Sequence, residues 1–417
     1  MGKGLKYIDL FAGAGGLSEG FIQSGYTPIA HVEIDKAASY TLKTRIAYYY
    51  LLENNKLFIY NKYLKGEVSR RELYELVPTE LLSSVINAPI GHENNSFIFS
   101  AIDAQGPGEV DLIIGGPPCQ AYSLVGRARS ETRMELDPRN YLYLEYEKYL
   151  QKYNPKVFIF ENVIGLKSAN GGKYFQSMLT IFTKLGYEVS HFTLEADNFG
   201  VLQKRRRIIL IGCKKELQLG IPKIPEFRIE NSTVSDVLSD LPALDAGGGV
   251  DKYATYTGAV NNYLNESRIR SVHDQYLTQH FCRPNSSQDK EIYKLAVHKW
   301  DNENSRLRYD ELPDGLKTHK NTKSFYDRFK VVAANLPASQ TVVAHIAKDG
   351  HYYIHPDLYQ NRSLTVREAA RLQSFPDNFY FEGVKEGATR SAAFKQIGNA
   401  VPPLMARSIA EHILKLL

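Results

Sequence analysis

Cysteine is scarce in this chain. Among 417 residues there are three, Cys119, Cys213 and Cys282. An odd, sparse set with no paired spacing argues against a disulfide framework and against a zinc site, and fits a reducing cytoplasm. Long apolar runs are missing as well, so no segment reaches the length of a transmembrane span. Met1 to Lys6 leads almost directly into an apolar strand, so no signal peptide is expected. There is no internal repeat and no low-complexity tract. Neither sign of charge dominates: 51 Lys and Arg stand against 46 Asp and Glu, a net charge of +5. That balance permits a polyanionic partner without requiring one.

What is present reads as an α/β chain long enough for one large domain and a smaller one. Tyr7 to Phe11 is a short apolar strand, Ala12-Gly13-Ala14-Gly15-Gly16 a glycine turn, Leu17 to Ser24 a helix, and Ile29 to Ile34 a second strand ending in acids. This is the opening βαβ unit of a doubly wound sheet. Residues 41–100 carry tyrosines among lysines, arginines and leucines with helical spacing, which predicts an inserted helical subdomain. Strands are then expected at 110–114, 157–160 and 208–212, with helices at 141–151 and 175–184. Alternation of this kind implies a mostly parallel sheet. After about residue 225 it fails. Thr233 and Asp236 suggest a capped short helix, Gly247-Gly248-Gly249 a loop or hinge, and Gln340 to Ala344 an extended piece. Helical spacing returns at Thr365, and a last helix follows Pro402-Pro403.

Four places carry candidate chemistry. The glycine turn lets backbone approach an adenine nucleotide, and Glu33 and Asp35 could accept ribose hydroxyls; any tight βα turn could also be glycine-rich. Gly115-Gly116-Pro117-Pro118-Cys119-Gln120 presents a cysteine on a stiffened turn after a buried strand, where the crevice of an open sheet lies. A packing cysteine would not need such a turn. Glu161 ends the next apolar strand and can hold a proton for a ring nitrogen, or merely cap a turn. Gln203-Lys204-Arg205-Arg206-Arg207 precedes a strand whose alternation sends Arg205 and Arg207 to one face, though such a run is often only a solvated surface.

Taken in order, these segments resemble the motifs of the DNA cytosine-C5 methyltransferases over nearly the whole chain. Asp9-Leu10-Phe11-Ala12-Gly13-Ala14-Gly15-Gly16 is similar to their first motif, Gly116-Pro117-Pro118-Cys119-Gln120 to the nucleophile motif, and Glu161-Asn162-Val163 to the acid motif. Asp137-Pro138-Arg139-Asn140 with Leu142 resembles a helix start, and Gln203, Arg205 and Arg207 the glutamine–arginine–arginine motif. Arg367 to Gln373 and Lys395 to Pro403 resemble the last two. The resemblance implies a Rossmann-like S-adenosylmethionine-dependent methyltransferase domain over 1–225 and 365–417, with the helical insert at about 41–100. A target-recognition domain is then expected over 226–364.

It also implies roles. Cys119 would add to C6 of a flipped cytosine, Glu161 would act at N3, and Arg205 and Arg207 would supply fixed positive charge. Phe11, Ala12, Gly13, Gly15, Gly16, Leu17, Glu33, Ile34, Asp103, Gly116, Pro118, Leu142, Asn399, Ala400 and Val401 would hold S-adenosylmethionine. Gln120, Ser123, Arg127, Gln203 and Thr341 would meet DNA, with the segment through Gly126 and Arg129 closing over the base. Three features depart from the family pattern: the long insert, Ile34 where some members carry an aromatic residue, and Asp103, which fits its motif loosely. The expected partner is double-stranded DNA, with no membrane and no metal. The chain is expected to be a cytoplasmic monomer, with a separately acting restriction endonuclease as a candidate companion. A tRNA cytosine methyltransferase of the same fold and an inactive DNA-binding regulator are the rivals. The roughly 130 residues between the arginine motif and the last helix favour DNA over the first, and intact Cys119 and Glu161 disfavour the second.

Overall fold

A computed structural model describes residues 4–118, 138–318 and 325–417. The chain opens with β1 (Lys6–Leu10), α1 (Gly16–Gln23) and β2 (Thr27–Val32). Four helices follow, α2 (Lys36–Glu53), α3 (Leu57–Lys65), α4 (Arg70–Glu75) and α5 (Thr79–Ser83), before β3 (Val85–Ile86), α6 (Asn95–Asp103) and β4 (Leu112–Gly115). Next come α7 (Leu142–Tyr153), β5 (Val157–Asn162), α8 (Lys173–Lys184), β6 (Tyr187–Glu195) and β7 (Arg206–Lys214). One sheet holds these strands in the order β3-β2-β1-β4-β5-β7-β6. The first five are parallel, and β7 runs antiparallel to both β5 and β6.

Two apolar layers enclose the sheet. Ile8, Leu10, Ile113, Phe158 and Phe160 pack on one face with Tyr146, Met178 and Phe182. Tyr7, Leu112, Ile114, Ile159 and Ile211 pack on the other with Phe21, Leu404, Met405 and Ile409. Burial on both faces is why these strands read as continuous apolar runs. Two strands escaped the sequence reading. β3 is only two residues long, and β6 is an edge strand whose outward positions are polar.

Beyond β7 regular structure thins. Val234–Val237 forms a 3-10 turn, its expected cap visible as the Thr233 amide donating to Asp236 at 2.8 Å. The expected glycine hinge is instead partly a strand, β8 (Gly249–Val250), paired with β9 (His280–Phe281). Between and after these lie α9 (Asn262–Glu266) and α10 (Ser287–Glu303). Residues 340–344 build no ladder; Ala344–Ala347 is a 3-10 turn. The chain ends with α11 (Val366–Leu372), α12 (Arg390–Asn399) and α13 (Pro403–Leu414). The helix α13 lies against α1 closely enough that a Cβ on Gly20 would meet the Arg407 backbone nitrogen at 2.4 Å.

The line expected at residue 226 is crossed by a shared core. Ala14, Leu202, Phe375 and Ile397 pack with Val234, Tyr263, Val332 and Val342. A separate core, with Ile292, Tyr293, Val297, Leu312, Phe329 and Ile354, lies wholly within 226–364. The tyrosines of α2 and α3 form a further cluster with Leu73 and Tyr380. Among the described residues no helix is long and apolar enough to cross a membrane.

Candidate active site

Parallel strands bring their carboxyl ends to one edge, and the sequence-predicted residues converge there. After β1 the backbone turns sharply: Phe11, Gly13 and Gly15 all have positive φ, 57°, 57° and 83°. Glycine accepts this freely, but for phenylalanine it costs about 1–2 kcal/mol. Glu33, just past β2, accepts from the Gly13 amide at 2.7 Å and from the Asp35 amide at 2.6 Å. Its carboxylate thereby shapes the turn, and burial raises its pKa despite these donors. The end of α12 docks on the same turn: a Cβ on Gly16 would lie 2.3 Å from the Val401 carbonyl and 3.1 Å from Ala400. Asn399 beside them is exposed.

Asp9 is the residue that sequence reasoning passed over. It lies one residue before the end of β1 and is 1% exposed, and neither carboxylate oxygen has a hydrogen-bond partner. Burial, then the charge of Glu33, raises its pKa well above the usual range. An orphaned buried carboxyl under a glycine turn suits a ligand that carries positive charge. Asn87, directly after β3, was missed too; its amide donates to the Glu33 and Ile34 carbonyls at 2.8 and 3.0 Å. A two-residue strand gave no signal to find it. Ile34 itself is 66% exposed beside this rim, whereas Leu17 is buried in the core.

The second cluster forms where β4, β5 and β7 end. Register sets Gly115 opposite Phe160 and Glu161 opposite Ile209. The Glu161 carboxylate meets the Arg207 guanidinium at 2.6 Å, both side chains largely covered. A Cβ on Gly116 would lie 2.8 Å from a Glu161 carboxylate oxygen, so only glycine lets the turn pass there. Asn162 donates to the Pro117 carbonyl at 3.2 Å and accepts from the Val163 amide at 2.9 Å. The acid motif therefore fixes the Gly-Pro-Pro turn that leads to position 119. Cys119, Gln120, Ser123, Gly126, Arg127 and Arg129 lie outside the described residues. Cys213 and Cys282 are both buried and free; burial pushes the Cys213 thiol up to about 11 and also raises Cys282.

Other expected residues sit differently. Gln203 is fully buried, with its amide donating to the Leu372 carbonyl and Gln373 and accepting from the Val342 amide at 2.8 Å. Arg205 is likewise buried and donates to the Val342 and Gly398 carbonyls at 2.8 and 3.0 Å. Arg205 precedes β7 and ties three segments together, while Arg207, within β7, faces Glu161. The Thr341 hydroxyl donates to the Lys204 carbonyl. Asp103 is not brought to the glycine turn. It ends α6, which leads into β4 from the opposite edge of the sheet, and pairs with Lys152 at 2.9 Å and Tyr153 at 3.1 Å. Leu142 starts α7. Among the described residues no group of three or more His, Cys, Asp or Glu could hold a metal ion.

Comparison with known proteins places this geometry. The sequence profile of the C-5 cytosine-specific DNA methylases matches residues 5–57 and 91–415. The chain belongs to that family. The unmatched stretch, 58–90, covers nearly all of α3 to β3. The type II methyltransferase M.Bpa9945I of Bacillus paralicheniformis is 42% identical over 97% of this chain and 98% of its own length. M.DdeI of Desulfomicrobium norvegicum is 30% identical over 98% of this chain and 88% of its own. In fold the chain is similar to Entamoeba histolytica methyltransferase EhMeth, with a TM-score of 0.56 at 16% identity over 99% and 98% of the two chains. The enzyme is a cytosine-C5 methyltransferase, and the two relatives named above are type II methyltransferases.

Proposed function

We propose that this methyltransferase acts on a flipped-out cytosine in a specific duplex DNA sequence, through a covalent bond from Cys119 to C6. The observation that carries the reading is the Glu161–Arg207 pair, 2.6 Å apart beside the Gly116-Pro117 turn. Cytosine C5 is too weak a nucleophile to take a methyl group directly. Addition of the Cys119 thiolate at C6 makes C5 an enamine carbon. Charge then develops on the ring. Glu161 holds a proton at N3, and Arg207, locked by its pair with Glu161, offers fixed positive charge toward O2. Loss of the C5 proton and departure of Cys119 restore the ring. Because C6 cannot be attacked within the stack, the base must leave the duplex.

S-adenosylmethionine, when bound, supplies the electrophilic methyl that C5 takes. The residues present fit it. Asp9, orphaned and buried, offers a partner for its positive charge; Glu33 can take ribose hydroxyls; Phe11 can cover the adenine. Ala400 and Val401, which pack on the glycine turn at Gly16, and the exposed Asn399 beside them would meet the cofactor from the α12 side. DNA would lie between the catalytic part, 1–225 with 365–417, and the recognition segment 226–364. Of the expected DNA contacts, Gln203 would then act by holding the recognition segment through Val342, and Thr341 from its seat on Lys204.

The test uses duplex DNA with 5-fluorocytosine at the target position. Fluorine does not leave as a cation, so the enzyme should remain attached to DNA in a denaturation-resistant complex that requires S-adenosylmethionine. Cys119→Ser should abolish it, while Cys213→Ser and Cys282→Ser should still trap. Trapping that survives Cys119→Ser, or preferred methylation of tRNA over duplex DNA, would overturn the reading.

A further inference from the structure

The segment that leaves the catalytic centre toward the recognition region carries a polar cluster that the chemistry above does not use. It starts at Thr341, bound to Lys204 three residues before Arg207. It is pinned at Gly398, where a Cβ would meet the Ala344 amide nitrogen at 2.2 Å. It returns at Tyr353, whose hydroxyl accepts from the Val343 amide and donates to the Thr341 carbonyl, both at 3.0 Å. The loop is therefore a rigid platform. On it Asp349 accepts from Arg328 and from His345 Nε2 at 2.9 Å. The Arg328 guanidinium also lies over two rings, 4.8 Å from the centre of Phe325 and 5.2 Å from that of Tyr352.

We infer that Arg328, held by Asp349 and His345, is a base-reading residue that selects a guanine beside the target cytosine. This rests on the proposed duplex-DNA function. Three observations carry it. First, reach: from Arg207 to Lys204, across the Thr341 hydrogen bond and on to Asp349, which holds Arg328, the chain takes eleven residue steps, at most about 40 Å fully extended. A site of a few base pairs, at about 3.4 Å per step, fits within that. Second, preparation: a guanidinium clamped by a carboxylate and covered by rings loses little freedom on binding and presents a fixed fork, the geometry that meets the O6 and N7 acceptors of guanine. A residue meant only for phosphate would not need so rigid a seat. Third, partial exposure: Arg328, Asp349 and His345 keep 18%, 20% and 35% of their side chains open, so the cluster is reachable from solvent although the Arg328 Nε is buried.

Asp349 and His345 are positioning residues here. Their loss should blur the same base position that loss of Arg328 blurs. The experiment profiles methylation by the full-length enzyme on a duplex library randomised around the target, read by bisulfite sequencing. Total methyl transfer from labelled cofactor and affinity against salt are measured in parallel. Arg328→Ala should cut discrimination at one guanine by about 5- to 150-fold, the range of one bidentate contact, while methyl transfer to the relaxed set of sites continues. Arg328→Lys should fail to restore it, because an ammonium cannot form the fork. Asp349→Asn should produce a weaker loss at that same position. If Arg328→Ala weakens binding equally on all sequences and flattens the salt slope by about one, the residue binds phosphate and the inference is overturned. It is also overturned if Arg328→Ala and Arg328→Lys both keep the wild-type site. Failure of the wild type to methylate duplex DNA would instead sink the functional reading beneath it.

Discussion

The core of the sheet and the junction between segment 226–364 and α11 bury different kinds of group. In the sheet the buried groups are almost all apolar: Ile8, Leu10, Ile113, Ile114, Phe158 and Ile159 stack between helices that contribute more of the same. Where segment 226–364 joins α11, a buried ionic network lies beside the apolar core. Arg362, Arg367 and Arg371 are fully buried. Arg371 pairs with Asp377 at 2.6 Å and with Asp240, Arg362 pairs with Glu368 at 2.7 Å, and Arg367 donates to the Thr278, Pro376 and Phe379 carbonyls. Apolar packing tolerates sliding. A buried charge network does not, because each guanidinium must find its own acceptors. The network gives segment 226–364, which has little regular structure, specific attachments to α11.

The largest expected effect would break this contrast from the catalytic side. Glu161→Gln keeps size and polarity but cannot release a proton to N3. Methyl transfer in single turnover should fall about 10²–10⁴-fold, with cofactor affinity nearly unchanged. A loss under about tenfold would move the proton elsewhere. Next comes Arg371→Met. It leaves Asp240 and Asp377 without a shared counter-charge in a dry interior, which should cost about 3–5 kcal/mol in denaturant unfolding. A change under about 1 kcal/mol would mean that the ionic junction is not what holds the segment.

One histidine in each region sharpens the comparison through pH. His31 lies in β2, and burial lowers its pKa to about 4. His355 lies in segment 226–364, and burial lowers it likewise to about 4, opposed by Glu368 and reinforced by Arg362. In both cases the unfolded chain takes up a proton near pH 6.5 and the folded chain does not. The stability is therefore complete above about pH 6.5 and is lost as pH falls toward 4, by about 3 kcal/mol for each group. His31→Gln and His355→Gln should each flatten part of that slope in unfolding measured from pH 7 to 4.5. If neither does, the acid loss has other sources.

How far the sequence disclosed all this follows the same division. β1, β4 and β5 were legible because an apolar run ending in glycine or a carboxylate has few other meanings, and Glu161 could be placed at a strand end for that reason. Asp9 was not, since a carboxylate in a strand gives no hint that it will lack a partner. Gln203 and Arg205 looked like groups for DNA and chemistry, yet their partners Val342 and Gly398 lie more than a hundred residues away in sequence. The insert shows the same limit. Its tyrosines read as a helical pattern, but not as a cage in which Lys252 lies 3.5 Å from the Tyr63 ring centre and 4.2 Å from that of Tyr380. Local pattern predicts what packs locally; polar networks are decided by topology.

The smallest expected effect concerns Phe11, where backbone cost and ligand gain can be separated. Its positive φ is unfavourable for any side chain, so a residue kept there must return something. If the half-buried ring covers the adenine, Phe11→Ala should weaken S-adenosylmethionine binding by about 1–3 kcal/mol, the worth of one base–aromatic stack. Catalysis at saturating cofactor should stay close to wild type. Phe11→Gly should lose the same affinity while relieving the strained turn by about 1 kcal/mol. Cofactor titration and denaturant unfolding on both variants then give effects of opposite sign at one position: weaker binding with an equal or firmer fold. Unchanged affinity in both would remove Phe11 from the adenine site; because the ring also packs on the core of the sheet, a fold weakened by the glycine would mean that this packing outweighs the relieved strain.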